Sequence, residues 1–502
     1  MNTHQRWTLT AVCVATFMLL LDITVVNVAL PAISADLKTE FSDLQWVVDA
    51  YALSLAALLL TAGSLADVLG RRRVFVGGLA LFTLASLFCG LAGSPLVLEL
   101  ARALQGVGAA GMFATGLALL AANFQGRQRG TAFGVWGAVT GAAVAVGPLV
   151  GGVLVEHVSW ESIFFLNLPI GLATIAVALT QVDESKGQAQ PIDVVGVATF
   201  SAGLFFGVFA LVRGNAEGWG SGLIVAFAVL SVALLAAFVA YERRAAAPML
   251  DLQLFRKRAF TGAAIAAFAL SASMFSLFLY LTLYIQNALQ YSPLEAGLRF
   301  LPVTLLSFLA APIAGRLTER MPVRFLMGGG LTLVGIGLLL MARLDASSEW
   351  TALLPGFLIA GVGIGLTNPP LASTAIGVVP PQRSGMGSGI NTTFRQIGIS
   401  VGIAAYGAIF QSLLERKLPG GPSGDVLASG RPDLLGPGRE ATFLAGYTSA
   451  LDTLFVIGAS VALLGALAAF TLVRQSDFVA HAAPGAAPSE PEAARSPAGA
   501  AA

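Results

Sequence analysis

Apolar stretches, each near the length of a bilayer-spanning helix, recur along the chain and are separated by short polar or Gly/Pro-rich breaks. They fall at 7–30, 45–66, 74–93, 96–121, 130–154, 162–180, 194–212, 221–241, 259–284, 296–314, 324–342, 351–376, 387–411 and 448–472. Roughly 20 residues of helix cross a hydrocarbon core, so the pattern predicts fourteen membrane spans and an all-α polytopic protein. The first stretch is too long for the apolar region of a secretory signal and lacks a small-residue cleavage pattern, so it reads as a retained helix. An even number of spans puts both termini on one side. The clusters Arg71–Arg73, Arg127 with Arg129, Arg243 with Arg244, and Arg256–Arg258 all land on that side. The positive-inside rule makes it the cytoplasmic one. The expectation is a multi-pass protein of the cytoplasmic membrane with both termini in the cytoplasm.

Two loops on that side resemble each other. In "GSLADVLGRR" (63–72) and "GRLTERMPVR" (315–324), Gly63 aligns with Gly315, Leu65 with Leu317, Asp67 with Glu319 and Arg72 with Arg324. The loops stand eight spans apart, as two six-helix halves with an inserted helix pair would place them. The domains expected are a first bundle over 1–185, a linker pair over 186–255 and a second bundle over 256–476. The Ala/Pro/Gly/Glu-rich tail, 477–502, has a composition that buries no core and is expected to be disordered.

Composition narrows the function. Only 11% of residues are charged, against roughly 25% in soluble domains. Basic and acidic residues number 28 and 27, so no basic field exists to recruit nucleic acid. His4, His157 and His481 are dispersed, and Cys13 and Cys89 lie in apolar stretches as small buried thiols, which leaves no hydrolytic or metal-binding cluster within the spans. No GxxxxGK[ST] phosphate loop occurs. Any pumping must therefore draw on an ion gradient or a separate subunit, and no cofactor is expected. A membrane-embedded enzyme or sensor is the alternative from another class.

One residue breaks the apolar pattern. Asp22, in "LLLDITVVNVALP" (19–31), is the single charged residue between Trp7 and Ala35. A charge near the bilayer centre costs at least about 2.5–3.5 kcal/mol, so it must face protein or water. Other segments carry similar departures: the intramembrane arginine of "RALQGVGAA" (102–110), the glycines and proline of "AVAVGPLVGG" (143–152), and "GSLADVLGRRR" (63–73). With "WESIFFLNLPIG" (160–171), "LYIQNALQYSPLEAGLRFLP" (283–302) and "SGINTTFRQIGISVG" (388–402), these resemble the fourteen-helix drug:proton antiporter branch of the major facilitator superfamily. Ala143 stands in place of the first glycine of its fifth-helix motif, and Glu161 where a basic residue is common. The resemblance implies two six-helix bundles around a cavity that opens alternately to each side. It also implies export of small amphipathic compounds, such as drugs or antibiotics, in exchange for protons. An uptake symporter on the same fold is the alternative, which the fifth-helix motif disfavours. The expected partners are a small-molecule substrate and the lipid bilayer, with the protein acting as a monomer.

Within that frame, Asp22 is the candidate proton carrier and Arg102 its relay. Desolvation favours the neutral acid, whereas an approaching guanidinium or cationic substrate favours the carboxylate, so protonation and binding compete. Two local alternatives stand beside this: Asp22 bonded by Thr24 or Asn27, and Arg102 paired with Glu99 three residues earlier on its own helix. Asp49, Asn27 and Arg395 are candidate substrate-binding residues, Asp49 as a cation site or as a solvated acid at the cavity mouth. Arg395 has no acid in reach, leaving backbone carbonyls or substrate as its partner. Gly63, Asp67, Gly70, Arg71, Arg72 and Glu319 are candidate gating residues that would close the inner face through helix ends and pairs between the halves. Gly147, Pro148, Gly151 and Gly152 are candidates for a tight helix interface or hinge.

Overall fold

The computed structural model describes residues 1–124, 126–186, 191, 193–246, 248–318, 320–379, 384–418, 423–430 and 440–474. Among them no strand forms, and fourteen helices are long and apolar enough to cross a membrane. In chain order they are α1 (Thr3–Leu37), α2 (Phe41–Leu69), α3 (Arg71–Gly90), α4 (Pro95–Asn123), α5 (Thr131–His157), α6 (Ser162–Gln181) and α7 (Val194–Glu217). There follow α8 (Gly222–Glu242), α9 (Arg258–Ala288), α10 (Pro293–Leu317), α11 (Val323–Met341), α12 (Trp350–Ala375), α13 (Met386–Lys417) and α14 (Glu440–Leu472). The side bearing the chain's start is called the terminal face below, and the opposite side the distal face.

Local sequence sets the helix ends. Asn2 and Gln5 cap the start of α1 reciprocally, at 2.7 and 3.0 Å. Pro293 opens α10 behind the N-cap Ser292, a position where the missing N–H of proline leaves no helix bond unmade. Gly70 alone joins α2 to α3, with φ of +113° in the region that favours glycine. Several spans run past the bounds of the sequence pattern, among them α1, from Thr3 to Leu37, and α14, which begins at Glu440. The ninth, expected over 259–284, continues to Ala288 because π-helical turns at Ser271–Phe275 and Tyr284–Ala288 absorb local irregularities without ending the helix. The stretch 412–447, between the last two expected spans, holds the end of α13, a short helix, Gly424–Ala428, and the start of α14.

Helices α1–α6 and α9–α14 form two six-helix bundles, with α7 and α8 packed on each other between them. Two pairs join the bundles: α2 lies along α13, and α5 lies along α10. The glycine-proline stretch of α5 sits in these contacts. Gly147 faces Thr24 and Gly151 faces Val25 of α1, while Gly152 and the carbonyl of Pro148 meet α10 at Leu294 and Gly297. The stretch is therefore a tight interface on two sides, one of them between bundles. Among the described residues, the hydrogen bonds between bundles run from mid-membrane to the distal face. Gln45 Nε2 donates to the Ile403 carbonyl at 2.9 Å, Gln286 Nε2 to Val28 at 2.9 Å, and Thr304 Oγ1 to Ala145 at 3.3 Å. This conformation is closed distally.

A side chain at position 152 would meet α10 backbone, since an added Cβ lies 2.7 Å from both Leu294 Cα and the Pro293 carbonyl. Backbone cannot yield as a side chain can, so Gly152→Leu should cost about 1–3 kcal/mol of overpacking in the distal-closed form. Melting of the purified protein should fall accordingly, and an unchanged melting temperature would contradict the contact.

Candidate functional site

Five helices of the first bundle converge on Asp22. Arg102 of α4 donates through Nη1 to Asp22 Oδ2 at 2.6 Å, and both side chains are 1% exposed. Gln105, one turn further along α4, donates to Asp22 Oδ1 at 2.9 Å, and Asn167 of α6 donates to the same oxygen at 3.1 Å. The carboxylate thus accepts three hydrogen bonds, each from a side chain on another helix. Arg102 is also held by the Val47 carbonyl at 3.1 Å and by Gln105 Oε1 at 2.6 Å, with the Tyr51 ring 4.3 Å from its guanidinium carbon. A further layer fixes Asn167, which donates to Ser86 Oγ of α3 at 3.0 Å, and Ser86 in turn donates to the Phe164 carbonyl at 2.9 Å.

Of the two local alternatives, neither forms. Arg102 takes Asp22 rather than Glu99 as its ion-pair partner, and Thr24 and Asn27 bond carbonyls of their own helix at Leu20, Leu21 and Ile23. Sequence reasoning brought Asp22 and Arg102 together but missed Gln105, Asn167 and Tyr51. Each amide is an uncharged polar group in a largely apolar span, a weaker signal than a charge.

Asp49 lies elsewhere, in the α2–α13 contact between bundles. It is 0% exposed, so it is not a solvated acid at a cavity mouth in this conformation. Neither carboxylate oxygen makes a hydrogen bond, although the Ser400 hydroxyl of α13 faces it, and that hydroxyl is also unpartnered. Arg395 of α13 is half-buried in the second bundle. Its Nη1 donates to the side-chain oxygen of Asn368 on α12 at 2.9 Å, and Phe275 of α9 lies 5.8 Å away. Of the two partners the sequence left open, backbone carbonyls and substrate, the first is not what it holds here: its partner in this conformation is an amide side chain.

The loop motif of 63–73 is satisfied within the first bundle. Asp67 pairs with Arg71 at 3.1 Å. Glu184, beyond α6, accepts from the Arg72 N–H at 2.9 Å and approaches Arg73 at 3.8 Å, so it caps the start of α3. Arg72 also donates to the Val182 carbonyl at 3.1 Å. No pair from this motif to the second bundle exists among the described residues, in keeping with closure at the distal face instead. An added Cβ at Gly63 or Gly315 would meet open space. Glu319 lies outside the described residues. Glu184 was not legible as a partner, because nothing local marks it.

Two helix bundles, an inserted helix pair and an ion pair buried inside the first bundle describe a membrane transporter. The chain belongs to the Major Facilitator Superfamily, whose family model matches residues 12–403. It is 36% identical over 420 residues to the multidrug resistance protein Stp of Mycobacterium tuberculosis (strain CDC 1551 / Oshkosh), covering 83% of this chain and 78% of that one. It is 32% identical over 495 residues to the tetracenomycin C resistance and export protein of Streptomyces glaucescens, covering 94% and 92%. The fold also matches a crystal structure of a bacterial homologue of the human lysosomal transporter Spinster, with a TM-score of 0.67, 16% identity and coverage of 97% and 100%.

The ion pair makes a double substitution informative. Removing one partner leaves a buried unpaired charge, so Arg102→Met should destabilise by about 3–5 kcal/mol. Adding Asp22→Leu to Arg102→Met should restore much of that loss. Unfolding measurements on both variants check the coupling, and equal instability would show that the pair does not govern the core.

Proposed function

We propose that this transporter exports small amphipathic compounds, such as drugs or antibiotics, across the cytoplasmic membrane in exchange for protons, with both termini in the cytoplasm. The observation that carries the reading is the buried Asp22–Arg102 pair with its shell of Gln105 and Asn167. A proton on Asp22 cancels one charge of the pair and removes the attraction that draws α1 to α4. Loss of that proton restores it. Because Asp22 is buried inside the first bundle, substrate and proton compete through the spacing of helices rather than through shared contact with one carboxylate. Similarity to proteins named for drug resistance and export supports the direction of transport.

Asp49, Asn27 and Arg395 are the residues proposed to meet substrate. Asp49 is covered while α2 and α13 touch, so it is offered to a cationic centre only after they separate. Arg395 holds one amide and no carboxylate, which suits it to a polar or anionic group on the compound. Asp67, Gly70, Arg71 and Arg72, with Glu319, are proposed to act in closing the cytoplasmic face in the opposite half of the cycle.

The test is a growth-inhibition panel of toxic compounds in cells that lack their own pumps. Expression should confer resistance, and sensitisation would indicate uptake instead. Asp22→Asn should insert normally yet abolish proton-coupled efflux, since an amide does not cycle a proton at physiological pH. Asp49→Asn should slow efflux of lipophilic cations and leave neutral compounds nearly unchanged. Equal loss for both substrate types would remove the cation role from Asp49.

A further inference from the structure

Two carboxylates outside the site already described join the bundles at the distal face, and they do so in the same manner. Glu156, in the last turn of α5, accepts the Leu294 N–H at 2.9 Å and the Ser292 hydroxyl at 2.5 Å at the start of α10. Asp425, in the short helix Gly424–Ala428 that follows α13, accepts the N–H groups of Phe41 and Ser42 at 3.1 and 3.2 Å at the start of α2. The internal repeat aligns the end of α2 with the end of α10, and the same offset aligns α5 with α13. The two contacts therefore fall at corresponding helix pairs of the two bundles, although Asp425 stands in a separate short helix beyond α13 rather than within it. Each carboxylate takes up N–H groups that the first turn of a helix leaves unpaired, at the positive end of that helix. Neither contact survives separation of the bundles on this side.

The two acids differ in setting. Glu156 is exposed, whereas Asp425 is half-buried. Around Asp425 stand Glu40 and Asp43 from the start of α2, and from α13 come Gln411, which donates to it at 3.0 Å, and Glu415, which caps Gly424. Among the described residues, the principal charges acting on it are those of Glu40 and Asp43. Burial, with the charge of Glu40, pushes its carboxyl up to about 6, and the two backbone N–H groups offset this only in part.

We propose that these paired contacts form a distal lock, and that a proton taken up by Asp425 tightens it. Opening returns Asp425 to water, where its proton affinity falls back towards that of an ordinary carboxylate. The closed state therefore binds the proton more tightly, and linkage requires acid to favour closure. Between pH 8 and pH 5 the closed-to-open ratio should rise about tenfold from this group alone. The lock does not depend on which compound is carried or in which direction.

Spin labels at Leu91→Cys, where the native residue is 65% exposed at the distal end of α3, and at Ala346→Cys, exposed in the distal loop after α11, report the gap between bundles. Native Cys13 and Cys89 are buried. Distance distributions of the purified protein without substrate should shift towards the short population as pH falls, with a midpoint below the closed-state value of about 6. Asp425→Asn keeps an acceptor oxygen but cannot titrate, so it should lose this step and retain the short population at high pH. Glu156→Ala should lengthen the distances at every pH and keep the step. Glu40→Gln, which leaves the lock intact, should move the midpoint downward. The proposal is overturned if Asp425→Asn keeps the unsubstituted midpoint and amplitude, if the distributions at pH 5 and pH 8 coincide, or if Glu40→Gln leaves the midpoint in place.

Discussion

Asp22 and Arg102 meet at 2.6 Å where neither side chain exposes more than 1% of its surface. In a membrane interior such a pair persists only when nearly every remaining lone pair and N–H is also engaged, since desolvating two charges costs several kcal/mol for each. That requirement organises the first bundle. Gln105 and Asn167 must point inward to complete the carboxylate, the Val47 carbonyl must face the guanidinium, and Ser86 must hold Asn167. Helices α1, α2, α3, α4 and α6 are fixed around one polar centre. A change in its charge thus reaches five helices at once.

The second bundle has no matching pair among the described residues. Its mid-membrane cation, Arg395, rests on an amide and an aromatic ring. The bundles are accordingly unequal in chemistry although equal in topology: the first holds a buried ion pair, and the second a cation bonded to an amide. Between them, Asp49 lies buried without a hydrogen bond in a contact that alternating access must break. An unpartnered buried acid makes that contact less stable than its apolar area alone would suggest.

Much of the fold was legible because each span is long, apolar and bounded by charge, and the repeat of 63–72 in 315–324 exposed the two-bundle plan. The helix ends were less so. No local pattern marks the π-helical turns of α9, beside the first of which the Ser276 hydroxyl meets the Ser271 carbonyl of its own helix at 3.1 Å and the Gly398 carbonyl of α13 at 3.3 Å. The Asp22–Arg102 pair followed from the cost of isolated charge, but its amide shell did not, because Gln105 and Asn167 carry no charge to be accounted for. Contacts that depend on residues far apart in the chain, such as Glu184 with the start of α3 or Asp425 with the start of α2, left no trace in local sequence at all.

The central claim is that proton occupancy of Asp22 and occupancy by the transported compound exclude each other. Reconstituted in vesicles without a membrane potential, the protein should move protons against an outward compound gradient. As the compound leaves, the internal pH, read by a trapped dye, should fall, and a protonophore should abolish that change. Compound movement of the same rate with no accompanying pH change would contradict the exchange and leave Asp22 a structural acid.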